Sequence, residues 1–283
     1  MPHSGETIFG TAVSLLPGGK GANQAVAAHR AGNPTLMVGA LGSDSFGESL
    51  RVFLSEEGLD IEHVSQVDGP SGTAIITVDP NGENVIVIIP GANSRVGPEM
   101  VSSVTLTRND VVLMQNEIPE LSNQTAVEMA LSAQAVTILN LAPYRETSAE
   151  LLESVDYLVV NETEFAQLVG EDPQSMTGHQ VVGLLAQGAG STRNLIVTLG
   201  AAGLVARLSD TTLTIPGHEV SVKDTTGAGD SFCGAFGAAL ANSYAPEEAL
   251  RFANVAAALS VQRLGASPSM PTLDEIRAAI VER

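Results

Sequence analysis

Only one cysteine, Cys233, occurs in 283 residues, which rules out an internal disulfide and a thiolate metal cluster. Three residues after Asp230, it reads as a small buried thiol on a helix rather than a nucleophile. Tryptophan is absent and aromatic residues make up 4% of the chain, a mild argument against a nucleobase-stacking site, although one Phe or Tyr would suffice. Positive charge is scarce. Thirteen Lys and Arg stand against 32 Asp and Glu, and the formal net charge of −19 repels nucleic acid and anionic membrane surfaces. A phosphorylated ligand must therefore be held locally, by backbone dipoles, metal ions or one or two cationic side chains. No run reaches the ~18 uncharged apolar residues that span a bilayer, and the start MPHSGETIFG lacks the basic patch and apolar core of a signal peptide. The expectation is a soluble cytoplasmic chain with neither a nucleic acid nor a membrane as partner.

What the chain does have is 44% hydrophobic residues, enough for a sizeable core, in β-like runs that alternate with helical patterns. Leu36 to Leu41, Val111 to Gln115, Val136 to Leu141, Tyr157 to Val160 and Leu195 to Leu199 read as strands, and Ser45 to Glu57 as a helix stopped by Gly58. That alternation predicts a mainly parallel sheet covered by helices on both faces. One region departs from it: Thr73 to Val78 and Asn84 to Ile89 are β-rich and joined by Asp79-Pro80-Asn81-Gly82-Glu83, the chemistry of a hairpin turn. The hairpin is either a flap or an extra edge of the main sheet. From about Gly227 the pattern is helical, with Ala-rich segments at 227 to 241 and 246 to 263 and a last one from Leu273 to Glu282.

Two small-residue stretches carry chemistry. Gly18 to Asn23, GGKGAN, reads as a loop running into a helix capped at Gly32, and glycine would let backbone amides and the Asn23 side chain approach a polar ligand. The GxxxxGK[ST] spacing of a Walker A loop is not there, and such a stretch is by itself more often an ordinary turn. The second, DTTGAGDSF at 224 to 232, combines Gly227, Ala228 and Gly229 with a carboxylate. A helix starting near Gly227 would point free N–H groups and its dipole at an anion. Asp230 in its first turn is either a favourable N-terminal charge or a base that takes a hydroxyl proton while the amides hold the phosphate under attack.

Together and in this order, GGKGANQAVAAHRAG and DTTGAGDSFCGAF resemble the two signatures of the ribokinase-like (PfkB) carbohydrate kinases. LGSDSFGE at 41 to 48, GENVIVIIPGAN at 82 to 93, NETE at 161 to 164 and TLGAAG at 198 to 203 are also similar to family segments, so the resemblance spans nearly the whole chain. It implies an α/β three-layer sandwich with a mainly parallel central sheet and a small β lid. The lid would comprise about 1–17 and 70–92, and the nucleotide- and sugar-binding body 18–69 and 93–283. The implied reaction is ATP-dependent phosphorylation of a sugar's primary hydroxyl, with D-ribose first, then fructose, deoxyribose, 2-keto-3-deoxygluconate or a nucleoside. An impaired sugar- or nucleotide-binding protein is the other reading.

In this resemblance Asp230 is the base and Gly227, Ala228 and Gly229 are the anion hole. Gly19, Lys20, Gly21, Ala22, Asn23 and Glu117 contact the sugar. Asn161 and Glu164 organise Mg2+ and the phosphates, while Thr198, Leu199, Gly200, Ala201, Ala202, Gly203, Gly229 and Asn254 line the ATP site. A monovalent K+ site is implied at Asp224, Thr226, Ser260, Arg263, Gly265 and Ser269. Plainer readings stand beside several of these: Asn161 and Glu164 have the spacing of a helix capping box, Glu117 could be a surface charge at a strand end, and Lys20 could face solvent. The family's first strand, and the aspartate at its end that grips sugar hydroxyls, have no counterpart here. The apolar hairpin also suggests a homodimer through the lid.

Overall fold

The computed structural model describes residues 5–78, 84–190 and 192–281. Its centre is a six-stranded sheet, a more mixed one than strand alternation alone suggests. In chain order the strands are β1 (Gly39–Gly42), β2 (Val64–Val67), β3 (Thr73–Val78), β4 (Asn84–Ile89), β5 (Val111–Gln115), β6 (Val136–Asn140), β7 (Tyr157–Asn161), β8 (Asn194–Thr198), β9 (Gly203–Leu208) and β10 (Thr211–Pro216). The large sheet runs β10-β9-β8-β7-β6-β5. β5 to β8 are mutually parallel, and β9 and β10 add antiparallel at one side. β1 and β2 form their own parallel pair and β3 and β4 their own antiparallel pair, so the hairpin is not an edge of the main sheet. Its turn, 79–83, lies outside the described residues.

The helices are α1 (Lys20–Arg30), α2 (Ser45–Glu56), α3 (Pro98–Val101), α4 (Glu120–Ala133), α5 (Ala149–Ser154), α6 (Glu162–Val169), α7 (Gly178–Ala186), α8 (Ala228–Ala241), α9 (Pro246–Ser260) and α10 (Leu273–Val281). Strand residues point alternately to opposite faces. Ile138, Val159 and Ile196 therefore pack with Phe232, Phe236 and Leu250 of α8 and α9 on one face, while Leu139, Leu158, Val160 and Val197 pack with Phe165, Val181 and Leu185 of α6 and α7 on the other. A sheet buried on both faces fits its near-continuous apolar strands and makes the three layers.

Among the described residues β5 is an edge strand of this sheet. The bonds Val136 N–H to Asp110 O and Asn116 N–H to Ala142 O turn the even-numbered residues of β5 towards β6, leaving Val111, Leu113 and Gln115 facing the open side. Side-chain amides serve part of that edge: Asn123 Nδ2 donates to Gln115 O at 3.0 Å, and Gln115 Nε2 reaches Leu113 O at 3.5 Å. Described residues of 1–17 take part in no strand, and Phe9, Val13 and Leu15 are exposed.

Helix α1 begins at Lys20, earlier than the glycine run suggests. Only Gly18 and Gly19 are loop; Gly19 caps the helix at φ 93°, a value that suits glycine, and Gly21 to Asn23 form the first turn. The two site helices meet at one point. A Cβ added to Gly234 of α8 would stand 2.4 Å from Gln24 O, 2.5 Å from Ala27 Cβ and 2.8 Å from Ala28 N of α1, so the helices touch backbone to side chain only because residue 234 is glycine.

Candidate active site

The last residue of each of the four parallel strands of the large sheet is polar: Gln115 on β5, Asn140 on β6, Asn161 on β7 and Thr198 on β8. All four lie at the carboxyl edge of the sheet, where ligands of open α/β folds bind. The N-termini of α1 and α8 come down onto the same edge. Between them is a cavity of about 130 Å³ lined by Lys20, Asn140, Asn161, Glu164, Thr198, Thr225, Gly227, Ala228, Gly229, Asp230 and Cys233, among others. Residues from both glycine stretches, the NETE segment and the TLG turn are thus brought into one place.

Gly227 is the N-cap of α8 at φ 79°, and a Cβ there would sit 2.9 Å from Ala266 Cα, so both dihedral and space call for glycine. Ala228 N–H is bonded to Thr225 O and Ser231 N–H to Gly227 O; among the described residues the N–H groups of Gly229 and Asp230 have no backbone acceptor. These are the free donors of a helix start, open to an anion. Asp230 itself is 6% exposed and is held by two amides of α1: Asn23 Nδ2 donates to Oδ2 at 2.8 Å and Gln24 Nε2 to Oδ1 at 2.9 Å.

Glu117 stands at the mouth of α1, where Lys20 N–H donates to its Oε2 at 2.9 Å. It therefore faces the start of α1 and is not a bare surface charge. Burial raises the Glu117 carboxyl above its usual range, opposed by the Lys20 amide and ammonium and assisted by the charge of Asp230. Glu164 is raised for the same leading reason, with the Asn161 amide and Lys20 pulling the other way. Cys233 is fully buried and its thiol pushed well up, which removes it as a nucleophile.

Asn161 and Glu164 do form a capping box: Asn161 Oδ1 accepts from Glu164 N–H at 2.8 Å, and Glu164 Oε2 accepts from Asn161 N–H at 2.9 Å. The capping reading holds; both residues also line the cavity, and the cap uses only one Glu164 oxygen. Ala22 is packed in the core with Val26, Leu54 and Met270, so its methyl faces no ligand. Leu199 to Gly203 turn away from Thr198 towards the end of β10, where Gly217 N–H reaches Ala202 O and Asn254 Nδ2 donates to Pro216 O. The predicted nucleotide-pocket residues therefore share one neighbourhood beside the cavity.

Among the described residues no group of three or more His, Cys, Asp or Glu clusters around a metal position. An ion would rest on mixed oxygens. Asp224 ties two loops together, accepting from Thr226 N–H at 2.9 Å and Gly265 N–H at 2.8 Å. Partial burial would raise its carboxyl, but the Thr226 and Gly265 bonds outweigh this and hold it low. Ser260 and Ser269 are buried with their hydroxyls on the carbonyls of Ala257 and Ala266. The Arg263 side chain is committed to an ion pair with Glu275, which leaves only its backbone for the loop.

Sequence reasoning missed Gln24, Asn140, Gln115 and Ser267, which complete the polar floor. Ser267 Oγ donates to Asn23 Oδ1 at 2.6 Å, and Gln115 Nε2 to Gln24 Oε1 at 2.7 Å. A polar residue closing each apolar strand was the available signal for Gln115 and Asn140; Ser267 gave none.

A buried carboxylate beside free amides at a helix start, at the carboxyl edge of a three-layer α/β sandwich, is what a small-molecule phosphotransferase needs. The chain belongs to the pfkB family of carbohydrate kinases, whose model matches residues 2–273. It is 36% identical over 285 residues to a ribokinase of Lactococcus lactis, covering 100% of this chain and 91% of that protein. It is 33% identical to a deoxyribokinase of Salmonella typhi, with 97% and 91% covered. The structure of Arabidopsis thaliana ribokinase complexed with ribose and ATP superimposes with a TM-score of 0.87 at 33% identity, over 99% of this chain and 92% of that one.

Proposed function

We propose that this carbohydrate kinase transfers the γ-phosphoryl group of ATP to the primary hydroxyl of D-ribose, giving D-ribose 5-phosphate. The observation that carries the reading is the placement of Asp230: a buried carboxylate one residue from the free N–H of Gly229, in the same first turn of α8. Asp230 accepts the proton as the sugar oxygen attacks phosphorus, and the free amides of Gly227 and Gly229 stabilise the charge on the transferring group, the Ala228 N–H being already bonded to Thr225 O. Asn23, Glu117 and the amides from Gly19 to Ala22 hold the sugar. Lys20, lining the cavity, offsets the negative charge of Asp230, Glu117 and Glu164 as the phosphates enter.

Thr198 to Gly203 and Asn254 form the nucleotide side. Asn161 and Glu164 would hold Mg2+ through the uncommitted oxygen of Glu164 and intervening waters, and the ion would neutralise the phosphates. The loops joined by Asp224, with Thr226, Ser260, Arg263, Gly265 and Ser269, would hold K+ through backbone oxygens and keep the anion hole ordered. The lid comprises the β3–β4 hairpin with residues 1–17, and a second copy covers its apolar surface. ATP as donor places the enzyme in the cytoplasm. Among the described residues no helix is long and apolar enough to cross a membrane.

ADP release is the test, measured with Mg-ATP across D-ribose, 2-deoxyribose and fructose, with and without potassium. D-ribose should give the highest kcat/KM. Asp230→Asn should retain nucleotide binding and lose about 10²- to 10⁴-fold in kcat. Retained turnover in that variant would sink the mechanism, and a higher kcat/KM for 2-deoxyribose would move the proposal to the acceptor of the Salmonella relative.

A further inference from the structure

Gln24 is the most constrained polar side chain of the site, and no substrate can touch it. It is 0% exposed, behind Asn23 and Asp230. Its Nε2 donates to Asp230 Oδ1 at 2.9 Å and to Asn140 Oδ1 at 3.1 Å, and its Oε1 accepts from Gln115 Nε2 at 2.7 Å. Both amide hydrogens and one carbonyl lone pair are thereby used. The orientation is forced, since a flipped amide would set an oxygen against two acceptor oxygens and an NH₂ against the Gln115 NH₂. Asn23 is fixed in the same way: Ser267 Oγ holds its Oδ1 and turns Nδ2 onto Asp230 Oδ2.

We propose that Gln24 is a positioning residue for phosphoryl transfer, holding the Asp230 carboxylate in the rotation that presents its remaining lone pairs to the incoming hydroxyl, with Gln115 in turn fixing Gln24. The inference rests on the reading of Asp230 as the base. One inner lone pair on each Asp230 oxygen is taken by an amide hydrogen of α1, so a proton from the sugar arrives from the cavity side. Without Gln24 the carboxylate keeps a single tether, at Oδ2, and rotates about its Cβ–Cγ bond. Misdirected geometry of this kind lowers the rate without loosening the substrates.

The experiment is steady-state kinetics of the full chain and of Gln24→Leu and Gln115→Met, with D-ribose and Mg-ATP, beside thermal melts. Gln24→Leu removes a hydrogen bond to a charged group, and kcat should fall about 10- to 100-fold while the KM values stay within about twofold. Gln115→Met, which frees the Gln24 amide and also gives up the long contact to Leu113 O, should lose roughly 3- to 10-fold in kcat. A folded Gln24→Leu with wild-type kcat, or one whose loss lies in KM alone, overturns the inference. If Gln24→Leu does not fold, Gln115→Met decides: a selective kcat loss supports the inference and wild-type kcat overturns it. A wild-type chain without D-ribose-dependent ADP release overturns the underlying reading and this inference with it, whereas an active wild type isolates the role of Gln24.

Discussion

The floor of the cavity and the β3–β4 hairpin solve opposite problems with similar amounts of sequence. In the floor, Asp230, Asn23, Gln24, Asn140 and Ser267 are buried polar groups, and each has its partners within the chain. In the hairpin, Ile76 and Ile86 sit on one face and Ile75 and Val87 on the other, and all four are about half exposed. A two-stranded ribbon has no core of its own and is marginal in water alone. The chain thus satisfies the polar floor by itself and leaves the hairpin's apolar surface exposed.

The sharpest way to break the first half of that contrast is at Gly234. Gly234→Val would drive α1 away from α8, costing about 1–3 kcal/mol or more in stability, and should remove nearly all turnover because Asn23 and Gln24 leave Asp230. Melting curves and ADP release check this. A variant that melts and turns over like wild type would mean that the helices can separate without harm. Next in size is Glu117→Gln, which keeps an oxygen for the Lys20 amide but removes a charge facing sugar hydroxyls. The KM for D-ribose should rise about tenfold with kcat little changed.

The hairpin responds differently. If a second copy covers the hairpin as proposed, wild type should sediment as a dimer and Ile76→Ser with Val87→Ser as a monomer, while the melting temperature of the body moves little, since surface changes stay within roughly 0.5 kcal/mol. A large drop in melting temperature with no change in mass would show that the hairpin packs on its own body instead. The smallest effect concerns pH. Burial raises the Glu164 carboxyl, so its neutral form favours the fold: that stability is present below the ordinary carboxylate value and is lost as pH rises through the raised one. Glu164→Gln, which can still complete the capping box, should flatten the loss of stability as pH rises above the ordinary carboxylate value. Glu275 acts with the opposite sign. Its hydrogen bond to Arg263 lowers it to about 2, so this pair supports the fold above the usual value of 4.5 and fails as pH falls towards 2.

Much of the fold was legible because local pattern and tertiary burial agree. Val111 to Gln115 is a strand with the predicted bounds, and so are both arms of the hairpin. The β9–β10 pair was not anticipated. Its turn uses Ser209 at φ 53°, a left-handed conformation in a residue that does not announce one, in place of the Asn-Gly or Asp-Gly that marks such turns. The start of α1 was misplaced because glycines at 18, 19 and 21 look like loop, although Gly21 is tolerated in a first turn backed by Gln115 and Met37. Asp230 and the helix start that bears it were readable from one contiguous stretch. Gln24 was not, since nothing local distinguishes a glutamine that meets a carboxylate 206 positions away from one that faces water.

That separation bears on the life of the chain before it is an enzyme. Asn23 and Asp230 lie 207 positions apart, yet they share a hydrogen bond. A ribosome making about 5–20 residues per second completes α1 and the four parallel strands well before the helix bearing Asp230 emerges. Until then the α1 amides have no carboxylate to grip, and the groove that α8 fills lies open to water. The polar floor is therefore completed only in the last stage of synthesis, and a chain released early would carry the α1 amides without the carboxylate they hold.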